Sequence, residues 1–183
     1  MGLDWVPLIV TAVALAVLFS FYLSWRVGRL DRLHTRVETA RAALDAALLR
    51  RSSVVLELAS LPELEPASRV LLADAAGRAR RADDPDEREL AESNLSRALR
   101  AVISEPELGE ALGDVAADDG LLAEVEAAAK RVLIARRFYN DAVAAIRDVR
   151  SRRLVRTLRL AGHAPLPVFF DMDDEPPVFP GRS

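Results

Sequence analysis

Residues 5–25 read WVPLIVTAVALAVLFSFYLSW, 21 positions without one Asp, Glu, Lys, Arg or His. As a helix this run measures about 30 Å, the thickness of a bilayer's hydrocarbon core. Trp5 marks one edge, and Tyr22 and Trp25 mark the other, where an aromatic belt sits. Pro7 falls in the first turn, where its missing N–H costs little. A buried helix of a soluble protein keeps a polar stripe, and this run has none. A cleaved signal peptide needs a basic start, a shorter apolar core and small residues at the cut. Here Asp4 is the only charged side chain ahead of the run, and Phe19, Phe21, Tyr22 and Leu23 crowd its end. The segment therefore reads as an uncleaved transmembrane helix over 5–25 behind a short tail, 1–4.

The flanking charges predict an orientation. Arg26, Arg29, Arg32 and Arg36 follow the span against Asp31, and no Lys or Arg precedes it. The excess of basic residues on the cytoplasmic side then places the N-terminus outside a cell (inner) membrane and the main domain in the cytoplasm. The same arginines suit anionic headgroups.

Outward from the span, apolar residues recur at alternating three- and four-residue steps, as in a coiled-coil seam: Leu30, Leu33, Val37, Ala40, Leu44, Ala47, Arg51, Val54, Leu58. Leu61-Pro62 ends this helix. A second is predicted from Pro66 to Ala82, burying Val70, Leu71 and Ala75. Asp84 is a good N-cap and Pro85 a good first residue for a third, which buries Leu90, Leu95, Ala98, Leu99 and Val102 before Glu105-Pro106. Residues 106–117 read as a loop with one helical turn. Asp118 or Asp119 caps the last long helix, which runs to Arg150 with the stripe Leu122, Val125, Ala129, Val132, Arg136, Tyr139, Val143 and Ile146. A short helix over 154–160 stops at Gly162. Five prolines, at 165, 167, 176, 177 and 180, keep the rest of the chain from being helical. The brief Val168-Phe169-Phe170 is the one strand candidate. The fold class is all-α: one N-terminal transmembrane helix continuous with an antiparallel bundle of about four helices over 26–162, then a Pro-rich acidic tail, 163–183.

Composition agrees and excludes much else. Ala, Leu, Val and Arg dominate, and aromatics reach only 5% of the 183 residues, which favours helices over sheets. A length of 183 residues suits one domain plus an anchor. A net charge of −3 speaks against a nucleic-acid partner drawn by bulk positive charge. With no cysteine, disulfides, thiol catalysis and thiolate metal sites are excluded. Glycines form no phosphate-binding loop, and the two histidines, His34 and His163, form no metal-ligand or triad spacing. No enzymatic activity and no cofactor are expected. Asp171-Met172-Asp173-Asp174-Glu175 resembles half a Ca²⁺ loop but lacks its Gly and distal Glu, so it reads as a solvated acidic tail.

Two stripe positions are arginine. Arg51 and Arg136 either snorkel at the edge of the stripe, the plainer reading, or join Asp45 and Asn140 in a polar network that fixes the register of the first and last helices. The tail likewise has two readings. Phe169, Phe170, Asp171, Asp173 and Asp174 form a docking strip for a basic partner, with Phe179 as a further anchor, or the two phenylalanines pack back onto the bundle.

The stretch Ala135-Arg136-Arg137-Phe138-Tyr139-Asn140-Asp141-Ala142-Val143 resembles the signature of the LemA family of bacterial membrane proteins. Leu44-Asp45 with Leu48, Arg50 and Arg51 is similar to that family's first soluble helix, Glu105-Pro106-Glu107-Leu108 to its acidic loop, and Val168-Phe169-Phe170-Asp171 to its aromatic C-terminal motif. The usual Trp of the first soluble helix, the Glu-Asn pair upstream of the signature and the second Tyr-Asn are absent, where Arg41-Ala42-Ala43, Ala129-Lys130 and Ala144-Ala145-Ile146 stand instead. The resemblance implies a membrane-anchored helical bundle without enzymatic activity that serves membrane-associated assemblies. The expected role is an interaction or scaffolding module with a protein partner. The alternatives are an accessory subunit of a membrane enzyme such as a membrane protease, or a self-associating coat of homo-oligomers.

Overall fold

Local chemistry sets the boundaries of four helices among the residues that the computed structural model describes, 5–105, 120–151 and 166–178, with the backbone alone at 23–27, 29 and 30. Helix α1 runs Trp5–Ala59, 55 residues. It closes in a tightened turn, Ser60 N donating to Glu57 O at 3.0 Å and Leu61 N to Leu58 O at 3.2 Å, just before Pro62. Helix α2, Pro66–Arg81, starts on a proline and carries Arg78, Arg80 and Arg81 in its last turn, where cations meet the negative end of the helix dipole. Helix α3, Pro85–Ile103, is capped as expected: Asp84 accepts from the backbone N–H of Asp86 and Glu87. Helix α4, Leu121–Ser151, follows Gly120, whose φ of +65° is strained for any residue with a Cβ. The Gly120 carbonyl accepts from Glu124 N at 3.0 Å. The expected caps Asp118 and Asp119, the turn within 106–117, the helix over 154–160 with Gly162, His163 and Phe179 lie outside the described residues.

The fold is all-α, with no strand among the described residues, and its long apolar N-terminal helix is present as expected. Val168-Phe169-Phe170 belongs to an irregular tail, not to a strand.

The chain divides into two compact units: Met1–Glu38 with Ala142–Val168, and Thr39–Asp141 with Phe169–Ser183. In the first, every side chain from Trp5 to Tyr22 is exposed, and this stretch is long and apolar enough to cross a membrane. Val37, Val143, Ile146 and Val149 are buried there. In the second, one core gathers Val54, Val55 and Leu58 of α1, Leu72 and Ala76 of α2, Leu95, Leu99 and Val102 of α3, and Leu121 and Val125 of α4. A three-residue connection joins α2 and α3, which pack together as a hairpin.

Two helix phases differ from expectation. Val70 and Leu71 are exposed, and α2 buries Leu72, Ala75, Ala76 and Ala79 instead. Leu90 is exposed too, while the other predicted residues of α3 are buried. Leu90 precedes Leu95 by five residues and Leu99 by nine, which at about 100° per residue puts it near the opposite face. Bulk misled in both helices; phase decided.

Candidate functional site

Within the second unit the sequence-derived polar residues do not meet in one network; the structure sorts them into two. Arg51, 3% exposed, reaches from α1 to α3. Its Nη2 donates to Glu92 Oε2 at 2.5 Å and to Glu92 O at 3.2 Å, and its Nη1 donates to Ser96 Oγ at 2.8 Å. Ser96 Oγ in turn donates to Glu92 O at 3.2 Å. Of the three guanidinium nitrogens of Arg51, only Nε lacks a hydrogen-bond partner among the described residues. Burial pushes the Glu92 carboxyl above its ordinary range, and the charge and hydrogen bond of Arg51 pull it back in part. Arg51 therefore does not snorkel, and its partner is not Asp45. Asp45 pairs with Arg88 of α3 at 2.9 Å, half in solvent. A sequence signal for Glu92 existed: it precedes Leu95 by three and Leu99 by seven, so a carboxylate occupies a stripe position on α3 as Arg51 does on α1. A cavity of about 220 Å³ opens beside this pair, between Ser52, Arg80, Asp83, Arg88 and Glu92, whose charges of both signs converge on no single ligand chemistry.

The second network holds the tail. Arg136 and Asn140, one turn apart on α4, both serve it. Arg136 Nε donates to Asp174 Oδ2 at 2.7 Å. Asn140 grips the backbone of Phe170 from both sides, Nδ2 donating to its carbonyl at 3.0 Å and Oδ1 accepting from its N–H at 2.9 Å. From α3, Arg100 forks onto both carboxylate oxygens of Asp173, and its Nη1 also reaches the Glu175 carbonyl at 2.8 Å. Ser93 Oγ accepts from Asp173 N at 3.0 Å, and Glu89 Oε1 accepts from Asp171 N at 2.9 Å. Met172 and Pro177 are buried, Phe170 is half-buried and Phe169 is 42% exposed. The most buried apolar residue among 168–172 is thus Met172, which sequence reasoning passed over in favour of Phe169 and Phe170, one exposed and the other half-buried. Asp173 and Asp174 are engaged with the chain's own arginines.

The rest of the signature splits as well. Tyr139 is buried, and burial raises its phenol above the usual value, whereas Arg137 is exposed. Glu105 accepts from the buried Ser68 at 3.3 Å; Pro106, Glu107 and Leu108 lie outside the described residues. Among the described residues no group of three or more acidic or His side chains converges as a metal site.

The clamp predicts a pH dependence. The hydrogen bond from Arg100 holds the Asp173 carboxyl below the ordinary carboxylate range. A depressed pKa contributes stability above the unfolded value and loses it as pH falls through the folded one. The tail is expected to stay docked at neutral pH and to release in acid, below about pH 4. Methionine occurs only at positions 1 and 172, so a ¹³C-methyl methionine label gives one internal reporter. Its signal should move to the free-methionine position on acidification, and an unmoved signal would show that the ion pair does not hold the tail.

No protein-family model matches the chain, and no curated protein matches it either.

Proposed function

We propose that this chain is a membrane-anchored, non-enzymatic helical-bundle protein that serves as an interaction or scaffolding module at a bacterial membrane, with residues 5–25 as its span. The carrying observation is the exposed apolar surface of Trp5–Tyr22. Leu8, Leu15, Leu18 and Phe21 are each more than 60% exposed, far more apolar surface than a protein leaves in water without a cover. Lipid is the cover that fits a 27 Å run (about 18 residues at 1.5 Å) closed by aromatic ends. The arginines from 26 to 36 orient the main domain to the cytoplasmic side. For the absence of catalysis, the supporting observation is that the buried charges among the described residues, Arg51 and Glu92, are spent on each other.

The LemA-like identity is part of this proposal and rests on the sequence resemblance alone. Two of the segments that carry the resemblance meet in the structure, where Asn140 holds the backbone of Phe170, 30 positions on.

The test is extraction of membranes from expressing cells with alkaline carbonate, then intact mass measurement. The chain is expected in the pellet, released only by detergent, with a mass that includes residues 5–25. A product beginning downstream of Trp25, or one free in the supernatant, refutes the tether.

A further inference from the structure

The bonds that seat the tail are those of a peptide-binding site. Five of them reach tail backbone: two from Asn140, and one each from Glu89, Ser93 and Arg100. Such bonds read a chain's course and not its side chains. Selectivity comes from the side chains that are gripped: Met172 is buried, and Asp173 and Asp174 each face an arginine, on α3 and α4 respectively. The segment has no helix or sheet bonding of its own, so nearly everything that holds it passes between tail and clamp. Both ion pairs keep some contact with solvent, Arg100–Asp173 more than Arg136–Asp174. A segment without helix or sheet bonding of its own opens at less cost than the bundle unfolds.

We propose that this clamp is an intermolecular site that takes residues 170–175 of a second copy of the chain, with the chain's own tail as the competing occupant. A second copy is the partner because its tail is the ligand whose every bond the structure displays. The inference rests on the interaction-module reading, and tethering in one bilayer supplies the local concentration at which trans binding competes with cis. Exchange joins copies without any new surface.

The experiment uses the full chain in detergent micelles, with two affinity tags and two charge-reversal variants. In Arg100→Asp the clamp is reversed and the tail intact; in Asp173→Arg the tail is reversed and the clamp intact. Either variant alone sets like charges against each other. In the mixture, the intact tail of one meets the intact clamp of the other. Co-purification of the mixture is expected to exceed that of either variant with itself by roughly tenfold, and excess peptide of residues 166–178 should abolish it. The Met172 methyl signal, free in each variant alone, should return to its buried position in the mixture. Mixing that produces neither pairing nor a methyl shift overturns the proposal. So does uptake of the peptide by the Asp173→Arg chain without pairing between copies, which would assign the clamp to another acidic partner. Because the readout is in micelles, its failure is separate from any failure of the membrane tether.

Discussion

Arg51→Met is expected to destabilise the bundle by about 3–5 kcal/mol, the cost of leaving a buried charge without its partner. Glu92 is 1% exposed, so no water replaces the guanidinium, and Ser96 loses a donor as well. The loss has a pH signature. Burial already raises the Glu92 carboxyl, and removing Arg51 removes the two influences that lower it most. A carboxyl raised in the folded state takes up its proton on folding, so stability grows as pH falls through the folded pKa toward the ordinary carboxylate value. The deficit of Arg51→Met should therefore be largest at neutral pH and shrink in acid. Adding Glu92→Leu should restore wild-type stability or exceed it, since an apolar pair of similar volume escapes desolvation. Unfolding followed by far-UV circular dichroism in micelles measures all three proteins. Equal stability of Arg51→Met and wild type at pH 7 would mean that the guanidinium sits in water after all.

Leu15→Arg with Leu18→Arg is expected to expel the proposed span from the bilayer. Each arginine near the centre of a transmembrane helix costs about 2.5–3.5 kcal/mol, so the pair costs about 5–7. Both leucines are more than 60% exposed, so the substitutions remove no core packing, and arginine is a good helix former. Helicity should persist while the chain moves from the carbonate pellet to the supernatant. An unchanged pellet fraction would mean that something other than this apolar run retains the protein.

Much of the architecture follows from short-range rules. Pro66, Asp84-Pro85 and Leu61-Pro62 bound helices because proline's fixed φ and missing N–H, and an acceptor at the N-cap, act within a few residues of themselves. The stripe on α1 held its phase through Val37, Leu44, Arg51, Val54 and Leu58 because the apolar residues there are regularly spaced. On α2 and α3 an apolar residue lies on more than one face, and Val70, Leu71 and Leu90 turn outward because the neighbouring helices chose the other phase. At the start of α4 the left-handed Gly120 carries the carbonyl that accepts from Glu124 N, a bond that the sequence reading did not anticipate.

What the sequence alone determined about this protein is local or cumulative: among the described residues, an all-α architecture, the ends that proline and Asp84 set for the first three helices, and one apolar run of membrane-spanning length. Only the tertiary structure decided that Arg51 belongs to Glu92, 41 positions away, and that Arg136 and Asn140 serve the tail instead of α1. The physical reason is that an arginine's need for a partner is legible at its own position, whereas the partner is chosen by whichever carboxylate the packed helices bring within about 3 Å in a site without water.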